Sequence, residues 1–288
     1  MNKMTQTAAF KAKLATMTDD QKNQLLHFLP ESESIKVREM AQFDMGLINS
    51  MPIFAYLGKI HPSWFESLFN NYSKQDKLII ISAFTQRRET LADSCHLPHD
   101  FVPLSNMAKQ FVLTNLYKSM LANNQNSLPF PFLSVEPFFN LLTLPYEKVS
   151  TLIDLMGMHD LAPEMKTLIR SQQVRSILEA FHPKVVTYLK QIATHDKDVS
   201  FGKLGISSWN GNVENLKELV HKRGLNRIAR VVSENTKSYQ NHLMYLLSKQ
   251  EALILKSFFS KKKNEEVVNS LKQQLNEAID FLLENFQD

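Results

Sequence analysis

Glycine is scarce in this chain, which has seven glycines among 288 residues, against a usual share of about 7%. Folds built from β-sheets need many tight turns, and glycine is the residue that most readily adopts the backbone angles of such turns. Helices make no such demand. The scarcity of glycine therefore predicts an all-α, multi-helix fold, and the length is sufficient for one large domain or two ordinary ones.

Capping and spacing patterns indicate where individual helices begin and end. In TDDQKNQLLHFLP, Thr18 is a predicted N-cap, Gln21 completes a capping box and Pro30 ends the helix. The segment KLIIISAF is rich in β-branched residues, but no segment of similar quality offers a partner strand, so we predict a buried helix. The last helix has an apolar stripe that predicts packing within its own domain, formed by Val268, Leu271, Leu275, Ala278 and Leu282.

Two predicted helix starts share a His-Pro dipeptide. The first is His61-Pro62 in IHPSWF, and the second is His182-Pro183 in FHPKVV. An Asp-Lys pair follows each of them, namely Asp76-Lys77 and Asp196-Lys197. The shared pattern predicts two related helical modules, with chance similarity between amphipathic helices as the alternative.

A polar stretch with three prolines predicts the boundary between these modules. It gives an N-terminal helical module over residues 1–121, a linker over 122–137, and a C-terminal helical module with the terminal helices over 138–288. Modules repeated in this way usually provide binding surfaces rather than catalytic sites.

Composition limits the compartment and the chemistry. Cys95 is the single cysteine, so no intramolecular disulfide is possible. The sequence has no run of about 18 apolar residues and no apolar core of a secretory signal. The net charge of +4 is small for this length. We therefore expect a soluble, cytoplasmic protein without a membrane span.

Three His-Asp dipeptides occur, namely His99-Asp100, His159-Asp160 and His195-Asp196, and none stands out from the others. A metal-dependent phosphohydrolase of the HD type would use one such pair together with another His and a further Asp. Adjacent side chains on a helix point about 100° apart, so further ligands have to come from other helices. The segment CHLPHD offers three soft ligands at a spacing that matches no familiar zinc site. No glycine-rich phosphate loop, GxSxG or HExxH motif occurs. We therefore expect a non-enzymatic protein with no catalytic residues, no metal site and no cofactor.

The segment HKRGLNRIAR concentrates Lys222, Arg223, Arg227 and Arg230 without an acidic residue. The three arginines fall at i, i+4 and i+7 and share one helix face. Such a face can contact phosphates or an acidic protein surface, and a solvated helix face is the alternative. Gly224 is unusual inside a helix and indicates a turn or close packing.

The aromatic candidates for partner binding are Trp64, Phe65 and Trp209, because tryptophan is enriched at interface hot spots. Ordinary core packing is the alternative, and it is the stronger alternative for Trp64. Trp209 lies in a polar, glycine-bearing segment and is the more open case.

The run IHPSWF resembles the SctK/YscK proteins of type III secretion systems. The later run from WNGN to LKELVHKRGLNRIA is similar to chlamydia-type members of such systems. The duplicated pattern also resembles the flagellar switch protein FliG, although the EHPQ signature of that protein is absent. SctK/YscK proteins are helical accessory proteins of the cytoplasmic sorting platform, and they bridge the inner-membrane ring and the pod scaffold.

The resemblance implies a cytoplasmic adaptor of a bacterial type III secretion apparatus, located at the inner membrane only through its partners. The inner-membrane ring and the pod scaffold are the implied partners, and no catalytic residue is implied. The residues alone leave a second hypothesis open, a nucleic-acid-binding helical protein that uses the basic segment Lys222–Arg230.

Overall fold

A computed structural model describes residues 14, 17–39, 56–70, 72–85, 87–122, 130–133, 136–169, 171–194, 203–259 and 265–286 of the chain. Over these residues the protein is helical and has no strand, which confirms the predicted all-α fold. The segment KLIIISAF begins inside a helix that ends at Ser82. None of the helices in this part of the chain has the length and apolarity needed to cross a membrane.

The described residues contain fourteen α-helices and two 3-10 helices. In chain order the α-helices are α1 (Asp19–His27), α2 (Glu31–Glu39), α3 (Ser63–Phe69), α4 (Lys74–Ser82), α5 (Arg88–Ser94), α6 (Asn106–Ala122), α7 (Phe139–Thr143), α8 (Tyr146–Met165), α9 (Ser171–Glu179), α10 (Pro183–Ile192), α11 (Val213–Val232), α12 (Lys237–Tyr245), α13 (Lys249–Ser257) and α14 (Glu265–Asn285). The 3-10 helices are Phe130–Leu133 and Ile206–Ser208.

Local sequence signals account for several helix starts. The predicted capping box of α1 is confirmed, since the Gln21 N–H donates to Thr18 Oγ1 at 3.4 Å and the Thr18 N–H donates to Gln21 Oε1 at 3.2 Å. Ser248 and Glu251 form a second capping box at α13. These side chains satisfy backbone donors that have no partner inside the helix.

The two His-Pro starts share one hydrogen bond, although the N-cap of α3 is Pro62 and the N-cap of α10 is His182. Nδ1 of His61 accepts a hydrogen bond from the Ser63 N–H at 3.2 Å, and Nδ1 of His182 accepts one from the Lys184 N–H at 3.3 Å. The proline between them has no N–H, so the imidazole takes the next free donor of the first turn. This shared hydrogen bond is a local reason for a His-Pro pair at a helix start. The pair Asp196-Lys197, which extended the sequence comparison, lies outside the described residues.

The chain divides into two compact units with bounds that differ from the predicted modules. The first unit is Met1–Thr143 with Asn235–Leu243, and the second is Leu144–Glu234 with Met244–Asp288. The returning segment is tied into the first unit by polar contacts. The Tyr239 hydroxyl donates to the Phe138 carbonyl at 2.7 Å, and His242 Nδ1 lies 2.5 Å from the Tyr56 hydroxyl.

Part of the predicted linker over 122–137 is core of the first unit. Phe130 and Leu133 are buried, and the ring of Phe130 stacks on that of Tyr56 with centroids 4.5 Å apart. Residues 123–129 and 134–135 lie outside the described part of the chain. The prolines and polar residues of this stretch predicted an irregular connection. Burial of the large apolar side chains among them is favourable, and it places part of the stretch in the core.

In the second unit, α8 packs against α10, α11 and α14, and α11 also packs against α13 and α14. Helices α8 and α11 meet at two glycines. A Cβ atom on Gly157 would lie 2.1 Å from the Val220 carbonyl oxygen, and one on Gly224 would lie 1.8 Å from the Ile153 carbonyl oxygen. No side chain fits at such distances, so glycine is required at both positions. Close packing is therefore the reason for Gly224.

The apolar stripe of α14 faces the core of its own unit. All five residues of the stripe are buried, namely Val268, Leu271, Leu275, Ala278 and Leu282. This confirms the predicted packing of the last helix within its own domain.

Candidate partner-binding groove

An open groove of about 980 Å³ lies in the second unit, between α9 and the loop that leads into α11. Its described lining is mostly polar and uncharged, with four serines, two glutamines and Asn210. Trp209 is the aromatic residue among the described lining residues, and Glu179 and Lys217 are the charged ones. We call this cavity the Trp209 groove.

Side chains from three helices hold the loop that forms one wall of this groove. The Glu164 carboxylate, at the end of α8, accepts hydrogen bonds from the backbone N–H groups of Leu204, Gly205 and Ile206. Nε2 of Gln173 on α9 donates to the Ile206 carbonyl at 2.7 Å. Nη2 of Arg223 on α11 donates to the Lys203 carbonyl at 3.1 Å. These hydrogen bonds engage backbone donors and acceptors over residues 203–206, and they hold this part of the loop without a ligand.

Trp209 lies immediately after the 3-10 helix of this loop, and its side chain is half-buried. The indole Nε1–H donates to the Asn212 carbonyl at 2.8 Å, and the Trp209 N–H donates to the Ile206 carbonyl at 3.1 Å. Asn212 in turn caps α11, because its Oδ1 accepts from the Asn215 N–H at 3.0 Å. The indole is thus fixed by the same turn that starts the helix.

A second cavity of about 790 Å³ adjoins the Trp209 groove, since Ala180 and Lys217 line both of them. Its apolar wall includes Val185 of α10, Leu225 of α11 and Ile254 of α13. We call it the Ile254 cavity. Its rim carries side chains of both signs from α11, namely Glu214, Glu218 and Lys222.

His221 joins three helices at the wall of the Ile254 cavity. Its Nδ1 lies 2.7 Å from Asp154 Oδ1 on α8, and its Nε2 lies 2.9 Å from Glu251 Oε1 on α13. Burial lowers the pKa of His221, but the hydrogen bonds and negative charges of the two carboxylates outweigh burial and raise the pKa to about 9. At neutral pH the ring is therefore an imidazolium that donates from both nitrogens, so neither nitrogen is left to accept a proton.

The aromatic residues predicted from sequence lie in different units. Trp64 and Phe65 belong to α3 in the first unit, whereas Trp209 belongs to the second. Phe65 is 1% exposed, and its ring packs against that of Phe84 with centroids 5.5 Å apart. The structure therefore places Phe65 in the core, where it offers no surface to a partner. Trp64 is half-buried.

Arg227 is not part of an exposed basic face, because its side chain is 0% exposed. Its Nη2 and Nε donate to the two carboxylate oxygens of Asp160 at 2.7 and 3.4 Å, and its Nη1 donates to Gln274 Oε1 at 2.6 Å. Helical spacing correctly put Arg227 on one side of α11. That side faces α8 and α14 rather than solvent, so the prediction of Arg227 as a contact residue is wrong.

The other basic residues of the segment are only partly available. Arg223 is half-buried and holds the groove loop, and Arg230 is half-buried with its Nε donating to Asn226 Oδ1 at 3.1 Å. Lys222 is exposed and lines the Ile254 cavity. Phosphate binding requires exposed cations, so this arrangement gives no support to the nucleic-acid hypothesis.

The His-Asp dipeptides have separate partners where the structure describes them. His159 Nε2 lies 2.9 Å from the Tyr188 hydroxyl, while Asp160 pairs with Arg227. His99 Nε2 lies 2.8 Å from Asp93 Oδ1, and His195-Asp196 lies outside the described residues. Among the side chains that are described, no three or more His, Cys, Asp or Glu are grouped to hold a metal ion.

Sequence reasoning missed the residues that organise the groove. Glu164 acts on a loop 40 residues further along the chain, and no local motif marks such a contact. His221 and Glu251 are also far apart in sequence, 30 residues from each other. The capping box at Ser248 is the local signal that indicates Glu251. Burial raises the pKa of Glu251, but hydrogen bonds from His221 and Ser248 outweigh burial and lower the pKa to about 2.

No protein-family model matches this sequence, and neither a curated protein nor a solved structure matches it. The geometry of the groove is therefore the main ground for a functional proposal, together with the sequence patterns described above.

Proposed function

We propose that this chain is a non-enzymatic adaptor that binds a segment of a partner protein in the Trp209 groove. The observation that carries the proposal is the indole of Trp209, which is held by a preformed loop at an open groove. Tryptophan is enriched among the residues that dominate binding energies at interfaces. A loop that is ordered before binding also reduces the entropy lost on association.

The ionisable side chains around the two cavities support binding rather than catalysis. A general base needs a free lone pair within reach of the substrate, and both nitrogens of His221 are engaged by carboxylates. Glu179 in the Trp209 groove is paired with Arg175 at 2.8 Å. His221 and Glu179 are thus engaged in ion pairs within the protein. The polar groups of the groove that can contact a ligand are mostly uncharged amides and hydroxyls.

For the partner we propose a component of the inner-membrane ring or the pod scaffold of a type III secretion apparatus, with the adaptor in the cytoplasm. The support is the resemblance of IHPSWF to SctK/YscK proteins. Within this run His61 and Ser63 start α3 and Phe65 is core. Trp64 is the large side chain of the run that retains exposed surface.

Cross-linked capture of the tagged full-length chain from its native cells tests this function. The wild type is compared with Trp209→Ala, and Phe111→Ala, which changes an exposed aromatic residue of α6 in the first unit, is the matched control. Captured proteins are identified by mass spectrometry. We expect ring or pod components with the wild type and the control, and a loss of about 10-fold or more with Trp209→Ala, as for a hot-spot residue.

Two outcomes contradict the proposal in different ways. If Trp209→Ala retains the partner at the wild-type yield, the groove is not the binding site. If RNA-binding or metabolic proteins are recovered in place of ring and pod components, the assignment to a secretion apparatus fails. Circular dichroism of each variant shows whether a loss comes from the groove or from unfolding.

A further inference from the structure

We infer that the Trp209 groove binds an extended, uncharged stretch of polypeptide with two apolar anchors, one stacked on Trp209 and the other inserted into the Ile254 cavity. This inference rests on the proposed binding function and adds the chemistry and conformation of the ligand.

The first anchor follows from what Trp209 can still offer. Its only side-chain polar atom, Nε1, is already used in the hydrogen bond to the Asn212 carbonyl. A ligand therefore meets the flat apolar face of the indole and not a hydrogen-bond donor. Proline or an aliphatic side chain fits such a face, and proline-rich segments are known to dock in aromatic-lined grooves.

The conformation follows from the lining around the indole. Ser176, Ser207, Gln172 and Asn210 are exposed side chains that can each donate and accept a hydrogen bond. An extended main chain has free N–H and C=O groups that alternate along its length, and these match such a lining. A helix satisfies its own backbone groups, so a helical ligand would leave the polar lining unused.

The lack of charge selection follows from the ionisable residues of the groove. Of the described lining residues, only Glu179 and Lys217 are charged, and their signs are opposite. Glu179 is in addition paired with Arg175. The rim of the Ile254 cavity also carries both signs, with Glu214 and Glu218 beside Lys217 and Lys222. A groove for a strongly acidic or basic ligand needs an excess of one sign, so we expect an uncharged segment.

The second anchor distinguishes a polypeptide from a saccharide. An indole surrounded by hydroxyls and amides also suits a sugar ring, but the same surface continues past Ala180 and Lys217 into the Ile254 cavity. Val185, Leu225 and Ile254 line that cavity with aliphatic groups. A saccharide would gain little from this apolar wall, whereas a polypeptide can insert an aliphatic side chain there.

The test selects ligands from a random peptide display library on the full-length chain. Binding of each selected peptide is then measured by fluorescence titration in a Trp64→Phe background, where Trp209 is the only tryptophan. We expect uncharged sequences with two separated apolar residues, at least one of them proline or aliphatic. We also expect no helical signal from the bound peptide in circular dichroism.

Matched variants test the two anchors separately. Trp209→Ala, read by calorimetry, and Ile254→Gln are each expected to weaken binding by about 10-fold or more. Leu253→Gln is the control, because Leu253 is the neighbouring residue on α13 with a side chain that is 69% exposed and outside the lining of the cavity. Equal loss with Leu253→Gln and Ile254→Gln would contradict the second anchor.

Other results would contradict the inferred ligand class and leave the proposed adaptor function unaffected. Selected peptides that bind as amphipathic helices, or that share a charged motif, would show that the ligand class is wrong. A glycan identified on an array that then quenches Trp209 fluorescence in solution, when no peptide does so, would assign the groove to saccharides. The cellular capture experiment is independent of all these, since it asks only whether a protein partner depends on Trp209.

Discussion

Helix α11 takes part in two regions of the second unit that differ in construction. Its C-terminal half contains Gly224 and Arg227, which are both buried. No Cβ fits at Gly224, and each guanidinium nitrogen of Arg227 donates to an acceptor. Its N-terminal half starts at the Asn212 cap and lines an open groove with Val213 and Lys217. One helix therefore links a closely packed core to the proposed binding groove.

The comparison shows that the conspicuous sequence features of this helix lie in the core and not at the proposed groove. The arginine-rich run and the glycine inside it stand out in the sequence, yet Arg227 and Gly224 serve the core. The serines, glutamines and asparagine of the groove are ordinary in sequence, and all of them except Gln173 are exposed in the structure. Substitutions in the two regions should consequently differ in size, with large losses of stability in the core and small ones at the groove.

The largest effect is expected from breaking the buried ion pair. Asp160→Ala leaves the Arg227 guanidinium buried without its carboxylate, and we expect the free energy of unfolding to fall by about 3–5 kcal/mol. Urea unfolding in the Trp64→Phe background, followed by Trp209 fluorescence, reports the second unit. Asp280→Ala on the exposed side of α14 is the control and should change stability by less than about 0.5 kcal/mol.

Replacement of both members of the ion pair sharpens this prediction. In an Asp160→Leu, Arg227→Met double variant no buried charge is left unpaired, so much of the lost stability should return. A double variant as unstable as Asp160→Ala would mean that packing, and not the unpaired charge, determines the loss. If Asp160→Ala has the same free energy of unfolding as the wild type, burial of the Asp160–Arg227 pair is contradicted.

The next largest effect is expected at the helix crossing. Alanine normally stabilises a helix relative to glycine by about 1 kcal/mol, but Gly224→Ala would place a Cβ 1.8 Å from the Ile153 carbonyl oxygen. The backbones of α8 and α11 would have to separate, and we expect a loss of about 3 kcal/mol in the same urea experiment. Lys222→Ala, at an exposed position of the same helix, is the control. A gain in stability from Gly224→Ala would show that the helices do not approach this closely.

The charged bridge at His221 lies between the two regions and is expected to give a pH-dependent effect. Its folded-state pKa of about 9 exceeds the ordinary value of 6.5, so folding favours the protonated ring. The stabilisation is then fully present below pH 6.5 and is lost as pH rises through 9, with a size of about 3 kcal/mol. The stability difference between the wild type and His221→Gln should therefore narrow over this range.

Urea unfolding at several pH values between 6 and 9.5 measures this difference directly. Comparison with His221→Gln removes the contribution of other titrating groups, because those groups are common to both proteins. Asp154→Asn removes one of the two carboxylates and should reduce the pH-dependent part. Parallel stability curves for the wild type and His221→Gln across the range would show that the ring is not held as an imidazolium.

Local features of this fold could be predicted from the sequence, and tertiary ones could not. The capping box at Thr18 and the buried stripe of α14 involve residues within a few positions of each other, so their spacing is sufficient to predict them. Spacing also placed the three arginines on one side of α11, but the helices that cover that side come from elsewhere in the chain. The side of Arg227 is covered by α8 and α14, which periodicity cannot reveal.

The smallest effect on stability is expected at Glu164, which connects the core helix α8 to the groove loop. Its carboxylate accepts hydrogen bonds from three successive backbone N–H groups, and Glu164→Gln removes the charge and one acceptor oxygen. We expect a loss of about 1–2 kcal/mol and faster amide hydrogen exchange at residues 204–206 than in the wild type. Glu179→Gln, which changes an exposed carboxylate of the same groove, should leave exchange at these amides unchanged.

If the loop amides remain protected in Glu164→Gln, then Gln173 and Arg223 suffice to hold the loop, and the groove does not depend on the core helix. If protection is lost while α11 stays folded, the position of Trp209 is set by a contact across 40 residues of sequence, and the binding surface is preformed because the core is.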